Sequence, residues 1–327
     1  MWLLDWVFAP LTDKEKEINT YEETPKKQFE KIKLFRPQYF HEYIGQEKAK
    51  NILKSYIKAT KKRNSTFPHV LIDGSAGCGK TTIAKIIANE LGVKFVEAIT
   101  SEIRFFEDIE SKIYQAEGGV IFLDEIHSLD RGVAESLYTL MEDFTYRGES
   151  VQPFTLIGAT TELGELLKTR KPFVDRFELP LELEDYTCDE MVELIMQYKD
   201  RMFPEDHVVD SSFMVVAKNC RSTPRVAIRL LKATIYLEGD IKQVLYNFGI
   251  IKEGLTTKDL KVLNYLTLNE KGVGVQAMSS YLGTSTENYT QIIEPYLMKK
   301  HLIIRTPCGR KITDEGTGKL GELKGGK

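Results

Sequence analysis

A glycine-rich octet, Gly74-Ser75-Ala76-Gly77-Cys78-Gly79-Lys80-Thr81, sits between an apolar run, His69-Val70-Leu71-Ile72, and an amphipathic stretch that begins at Thr82. That succession constrains the fold more than any other part of the chain. The apolar run reads as a buried strand, and Ile83, Ile86, Ile87 and Leu91 recur at helical spacing before Gly92 stops the helix. Loop glycines such as Gly77 and Gly79 let the backbone curl tightly and approach a ligand closely. The spacing G-x-x-x-x-G-K-[ST] makes the loop N–H groups a phosphate cradle, and the helix N-terminus adds favourable partial charge. Lys80 is then placed to reach the β- and γ-phosphates, and the Thr81 hydroxyl to ligate Mg²⁺. A chance glycine-rich turn would not need strand, loop and helix in register, so the chain is read as binding a nucleoside triphosphate.

A chain of 327 residues exceeds one ordinary core and suggests two or three domains, and 42% hydrophobic with 28% charged residues is the make-up of a soluble globular protein. The net charge of −3 is unevenly spread. From Leu255 onward there are 11 Lys and Arg against 7 Asp and Glu, a surplus of 4, so the preceding 254 residues carry −7. A basic module appended to an acidic one suits a polyanionic partner, although ordinary surface variation also covers so small a surplus. Cys78, Cys188, Cys220 and Cys308 lie far apart with no C-x-x-C pair, which argues against a zinc site or disulfide framework and fits a reducing, cytoplasmic setting. The opening Met1 to Phe8 is apolar but interrupted by Asp5, lacks a basic flank, and falls short of the roughly 18–20 residues of a membrane span. Trp2 and Trp6 there are placed to dock a partner protein or a membrane surface, or to fold back onto the chain. Asp13 to Lys33 is charge-rich and reads as a helical or flexible linker.

From Phe35 to about Pro180 apolar runs alternate with helical patterns, the signature of a parallel sheet with crossover helices. Expected strands are Lys94 to Ala98, Val120 to Leu123 ending in Asp124-Glu125, and Phe154 to Ala159 ending in Thr160-Thr161. Polar residues at their C-terminal ends point into the crevice where open α/β sheets bind ligands. From Tyr186 to about Gly249 only helical stripes occur: Met191, Leu194, Ile195 and Tyr198, then Ala227, Leu230, Leu231 and Ile235 behind Thr223-Pro224. Three helices near 257–268, 276–281 and 286–299, followed by two short β segments around Thr306 to Gly309, describe a winged helix-turn-helix. The expected architecture is an α/β P-loop NTPase domain with a parallel sheet, an all-α lid and a C-terminal winged helix. Its parts are an extension over 1–33, the ATPase domain over 34–181, the lid over 182–253 and the winged helix over 254–327.

Asp124-Glu125, about forty residues after Lys80, supplies the second half of a phosphoryl-transfer site. Asp124 can hold Mg²⁺ through water, and Glu125 can orient and polarise an attacking water. Thr161 ends the next strand, where a hydroxyl can sense a γ-phosphate or merely cap the strand. Arg176 and Arg225 are candidate cations for the transition-state charge, a role worth roughly 10³–10⁵ in rate, although a lone Arg is more often a solvated surface residue.

Taken in order, these motifs resemble the RuvB family, the AAA+ motors of Holliday-junction branch migration. The likeness is carried by Arg36-Pro37, Glu42 to Gln46, the phosphate loop, Asp124 to His127, Met141 to Phe144 and Pro153 to Thr161. It continues through Asp175-Arg176-Phe177, Thr223-Pro224-Arg225, Glu294 to Leu297 and Arg305 to Arg310. The resemblance implies hexameric rings around duplex DNA, with ATP and Mg²⁺ bound between neighbouring subunits. It implies that Phe35, Arg36 and Tyr186 contact the adenine side and that Gly77, Lys80, Thr81 and Thr82 hold the phosphates. Glu142, Asp143 and Phe144 would line the pocket, and Thr161 would be the first sensor. Arg176 would be the finger donated to the neighbour's site, and Arg225 the second sensor. Arg305 and Arg310 fall where the family's wing meets DNA, and a guanidinium suits phosphate binding without sequence reading.

The chain departs from the family pattern in four places. Only Thr145 to Gln152 stand between Phe144 and Pro153, too few for the usual hairpin that grips the partner RuvA, so the resemblance does not extend to that partner. Cys308 replaces the wing's central arginine. Ser222 replaces the glycine of Gly-Thr-Pro-Arg, and Val174 an arginine before the finger. The leading reading is a ring ATPase that moves branched, four-way-junction or duplex DNA. An alternative is an ATP-gated loader or adaptor that positions a partner on DNA without translocating. A third is a sequence-seeking regulator, but the third helix of the winged module carries no Arg or Lys before Lys299, which suits groove insertion poorly.

Overall fold

The computed structural model of the protein describes residues 35–146 and 148–325. The apolar opening and the charged linker expected over 13–33 lie outside the described residues. The architecture below is that of the unit Pro37–Lys327, and Phe35 and Arg36 belong to the preceding unit.

Helix α1 (Glu47–Arg63) leads to β1 (Val70–Asp73), the glycine-rich loop and α2 (Lys80–Leu91). Then follow β2 (Phe95–Ile99), α3 (Phe106–Ala116), β3 (Val120–Asp124), α4 (Arg131–Asp143), the hairpin β4 (Thr145–Tyr146) and β5 (Glu149–Ser150), and β6 (Thr155–Thr160). Helix α5 (Leu163–Val174) and β7 (Leu179–Glu182) close the series. The five long strands form one parallel sheet in the order β2-β3-β6-β1-β7. Strand periodicity divides each apolar run between two cores. Val70, Ile72, Phe122 and Ile157 face α1 and α2 with Leu53, Ile83, Ile86 and Ile87. Leu71, Ile121, Leu123 and Leu156 face the other side with Ile109, Leu137, Leu140 and Leu166. Burial on both faces is why these strands are continuously apolar rather than alternating.

Strand β7 is a fifth strand that the pattern did not announce, because Pro180 interrupts it. It is tolerated at the sheet edge. The Leu179 N–H donates to His69 O and the Leu183 N–H to Asp73 O, so the missing N–H of Pro180 faces away from β1.

Helices α6 (Cys188–Met202), α7 (Asp210–Asn219), α8 (Pro224–Tyr236) and α9 (Ile241–Asn247) form the expected helical lid. Of the two expected stripes, Met191, Ile195, Tyr198, Ala227, Leu230 and Leu231 are buried, while Leu194 and Ile235 are half-buried at the margins. A small hairpin, β8 (Ile250–Lys252) and β9 (Leu255–Thr256), passes the chain to the winged helix. There α10 (Thr257–Thr267) and α11 (Val275–Leu282) precede α12 (Thr286–Asn288), which runs through a π-helical stretch, Tyr289–Ile293, into α13 (Glu294–Lys299). The widened turn lies just before Pro295, whose ring cannot accept regular α packing against the carbonyl four residues back. The wing is β10 (Ile303–Thr306) paired with β11 (Gly309–Ile312), and a last helix, α14 (Asp314–Gly325), packs Leu320 into the same core. Its glycines hid it from the sequence, yet a Cβ on Gly316 would stand 2.1 Å from Leu302 O, so close packing there requires glycine. Among the described residues, no helix is long and apolar enough to cross a membrane.

His69 fastens the lower edge of the sheet. The Leu156 N–H donates to its Nδ1 at 2.9 Å, which leaves Nε2–H to donate to Met141 O at 3.3 Å. Burial pushes its pKa down to about 4, so the ring stays neutral in the fold while the unfolded chain protonates it near 6.5. A depressed folded pKa means stability is complete above about 6.5 and is lost as pH falls toward 4. Chemical denaturation at pH 7 and pH 5 checks this. The drop in unfolding free energy should be about 2 kcal/mol larger in the unmodified protein than in His69→Gln. Equal drops would exclude a neutral buried His69.

Candidate active site

The phosphate loop leaves β1 at its C-terminal end, and α2 opens at Lys80 with Gly79 at φ 109° and Gly77 at φ 80°. Both are left-handed positions that favour glycine. Neighbours also crowd them. A Cβ on Gly79 would lie 2.6 Å from Tyr43 Oη, and one on Gly77 would lie 3.0 Å from Cβ of Arg225 and 3.2 Å from Cγ2 of Thr223. The loop is therefore covered by Tyr43 from one direction and by the start of α8 from the other. Lys80 is buried, and its ammonium donates to Gly74 O at 2.8 Å and Ser75 O at 3.3 Å, holding the charge inside the curl of backbone. Thr81 and Thr82 follow on the first turn of α2. A buried cation and a Cβ-free loop at a helix N-terminus fit a polyphosphate.

Asp124 ends β3 beside this loop, and Glu125 follows it at the start of a turn. Burial first, and then the charge of Glu125, raise the Asp124 carboxyl above its usual range, so the pair favours a nearby cation. Among the described residues no group of three or more His, Cys, Asp or Glu converges on a metal. Mg²⁺ carried by phosphate needs only one or two protein oxygens, and Asp124 and Thr81 fit that need. Glu125 sits at φ 51°, an uncommon conformation for a side-chain-bearing residue. Its carbonyl accepts Ser128 Oγ at 2.8 Å and Thr100 Oγ1 at 3.2 Å, and its carboxylate accepts Thr161 Oγ1 at 3.1 Å. His127 Nδ1 stands 3.4 Å from the same carboxylate oxygen. Thr161 and Glu125 are thus in direct contact. Thr100 and Ser128, which hold Glu125 in place, belong to no spaced pattern, so nothing in the sequence marks them. Tyr43 lies inside the stretch Glu42 to Gln46, where its spacing announces no contact with the loop.

Tyr186 is buried, with its hydroxyl donating to Tyr43 Oη at 3.2 Å, and burial pushes its pKa up to about 12. Arg225 meets the phosphate loop of its own chain through Gly77. Arg176 does something else. Its Nη2 donates to Glu142 Oε2 at 3.0 Å, and its guanidinium lies 5.9 Å from the Tyr138 ring. Glu142 and Asp143 end α4, followed by Phe144, which packs near His69 with ring centroids 6.0 Å apart. Arg176 precedes β7 and His69 precedes β1, so this group marks the N-terminal edge of the sheet. Strands of four to six residues separate it by roughly 15 Å from the phosphate loop at the opposite edge.

On the wing, Arg305 and Arg310 are cross-strand partners, and both fork onto Glu294. Arg305 reaches its two oxygens at 2.9 and 3.1 Å, and Arg310 at 2.6 and 3.1 Å. Glu294 is fully buried. Burial alone would raise its carboxyl, but the hydrogen bonds from Arg305 and Arg310 outweigh that and hold it below the usual range. The two arginines differ: the Arg305 side chain is 55% exposed and that of Arg310 only 16%. Arg305 therefore offers its outer edge to solvent, while Arg310 is mostly packed inside. Between Phe144 and Pro153 the chain forms only the short hairpin of β4 and β5, two residues each.

A phosphate loop, an acidic strand end and a hydroxyl after the next strand on this sheet order, followed by a helical lid and a winged helix, define an AAA+ ATPase with a nucleic-acid-binding module. The chain belongs to the RuvB family. Residues 35–183 match the model of the Holliday junction DNA helicase RuvB P-loop domain, and residues 252–321 that of the RuvB C-terminal winged helix domain. Holliday junction branch migration complex subunit RuvB of Kosmotoga olearia is 36% identical over 314 residues, covering 88% of this chain and 90% of its own. The Lactobacillus gasseri subunit is likewise 36% identical, over 315 residues with the same coverage. The solved Thermotoga maritima RuvB Holliday junction branch migration motor superposes with a TM-score of 0.77 at 35% identity, covering 87% of this chain and 97% of its own.

The unequal burial of the wing arginines has a measurable consequence. Arg310→Ala should destabilise the winged helix by about 2 kcal/mol, since it strips a charged hydrogen-bond pair from buried Glu294. Arg305→Ala should cost less than about 1 kcal/mol in stability yet weaken duplex binding. Denaturation curves and DNA titrations on the two variants separate these effects, and matching stability losses would contradict the assignment.

Proposed function

We propose that the protein is an ATP-driven motor that forms a ring and branch-migrates Holliday junctions or other branched duplex DNA. Bound ATP with Mg²⁺ supplies the phosphoryl group and the charge that the site answers. In this reading Lys80 and the loop N–H groups of Gly77, Gly79, Thr81 and Thr82 hold the phosphates. Thr81 and Asp124 face the metal, and Glu125 orients water and takes its proton. Thr161, bonded to Glu125, reports the γ-phosphate to that base, and Arg225 reports it to the lid. Phe35, Arg36 and Tyr186 serve the adenine side. Arg305 serves the DNA backbone, with Arg310 beside it. The working division is 1–33, 34–181, 182–253 and 254–327, in a cytoplasmic protein.

One observation carries the ring. Arg176 and Glu142 to Phe144 lie at the sheet edge opposite Lys80, Glu125 and Thr161, so within one copy they cannot act on the same phosphate. A second copy placed edge to edge supplies what the first lacks, and a head-to-tail contact of that kind closes into a ring. A hexamer is the proposed state. The short β4–β5 hairpin supports a motor that does not grip a RuvA-type partner there. Similarity over both the P-loop part and the winged helix favours the motor over a loader.

Mixing tests the seam. Lys80→Ala lacks a working cradle and Arg176→Ala lacks the finger, so each alone should hydrolyse ATP at least about 10³-fold more slowly. Combined in equal amounts they should recover up to roughly a quarter of normal activity through random pairing of neighbours. No recovery, or full activity of Arg176→Ala alone, would sink the shared site. Glu125→Gln should abolish turnover while leaving nucleotide binding within about threefold, read by calorimetry alongside hydrolysis.

A further inference from the structure

We propose that Arg221 is a positioning residue that couples the phosphate loop to the DNA-facing wing. The inference rests on the motor reading above and adds the contact through which nucleotide state reaches DNA. Helix α8 begins at Pro224, and Arg225 in its first turn lies over Gly77 of the phosphate loop. The link from α7 to α8 just before it is held unusually. Arg221 and Ser222 stand at φ 56° and 55°, consecutive left-handed residues where neither is glycine. Such a conformation persists only where surrounding contacts hold it.

The contacts that hold it come from beyond the lid. Arg221 Nε donates to Gly254 O at 2.8 Å, in the turn between β8 and β9. Its Nη2 donates to Asp259 Oδ2 at 2.5 Å, and its guanidinium lies 4.2 Å from the Tyr296 ring on α13. Asp259 is fully buried and also caps α10, accepting the Thr256 N–H and hydroxyl at 2.6 Å each. The Tyr296 hydroxyl donates to Glu253 O at 2.5 Å, so the turn, α10 and α13 are gathered around one guanidinium. Two residues before Tyr296 on the same helical run, Glu294 holds Arg305 and Arg310. A displacement of Arg225 over the phosphate loop therefore reaches the wing through four residues of backbone and direct side-chain contacts. A rival route exists in the Lys299–Asp185 pair, but both its side chains are about two-fifths exposed, where solvent screens such pairs. Planar, bidentate and stacked contacts are what a guanidinium makes and an ammonium does not.

The test measures affinity of the full chain for labelled duplex DNA, at one salt concentration, with a non-hydrolysable ATP analogue and with ADP. In the unmodified protein the two dissociation constants should differ about fivefold or more. In Arg221→Gln that ratio should fall to within about twofold, while DNA-free ATP hydrolysis stays within about twofold of normal. A merely structural loss would weaken binding equally with both nucleotides and leave the ratio intact. Because Arg221→Gln strands the Asp259 charge, Arg221→Gln/Asp259→Asn serves as the second variant, relieved of that charge and expected to fold and to lose the same ratio. A normal ratio in the folded double variant, or no difference between nucleotides in the unmodified protein, overturns the coupling. Failure of the unmodified protein to bind duplex at all overturns the motor reading beneath it instead.

Discussion

Everything in this protein depends on the polarity of one parallel sheet. β1 lies between β6 and β7, paired in the same direction with each, so the loops that follow β1, β3 and β6 all emerge at one edge. That single constraint gathers the phosphate loop, Asp124, Glu125 and Thr161 without any of them being near in sequence. The same polarity sends the segments that precede the strands, with His69 and Arg176, to the other edge. Helix α4 returns against the sheet direction and delivers Glu142 to Phe144 there as well. Separation of these two groups of residues, which the proposed ring would join across neighbouring copies, follows from strand direction.

Close approach of backbone to ligand requires the absence of side chains, and the covered glycines show how fully that is used. Tyr43 stands against Gly79, and Thr223 with Arg225 against Gly77, so the loop is hemmed by groups from both sides of it in the chain. Glu125 is held in a left-handed conformation by the hydroxyls of Thr100 and Ser128 on its carbonyl. A carboxylate on a constrained turn, in contact with the Thr161 hydroxyl, is preorganised for the water-orienting role proposed for it. The wing follows the opposite logic. Two like charges directly across a hairpin repel, and buried Glu294 makes their pairing tolerable by taking the inner edge of both guanidiniums.

Much of this could be read from residue order alone. The strand–loop–helix of the phosphate site, the acidic end of β3 and the lid stripes are set by local spacing, since each depends on neighbours within a few residues. The winged helix was readable for the same reason. What escaped was whatever local preference argues against. Pro180 breaks a strand pattern but is acceptable at an edge, and the glycines of α14 weaken a helix that packing against Leu302 demands.

The contacts of particular charged residues were decided at longer range. Arg221, Arg225, Arg305 and Arg310 are equivalent as letters, each an arginine near a turn. One is stacked on Tyr296 and bonded to buried Asp259, one lies on the phosphate loop, one is half in solvent and one is folded onto Glu294. Spacing along a chain reports which face of an element a side chain takes. Which distant carboxylate or carbonyl it meets depends on how the elements dock, and the energy that decides it comes from burial and pairing between segments tens of residues apart.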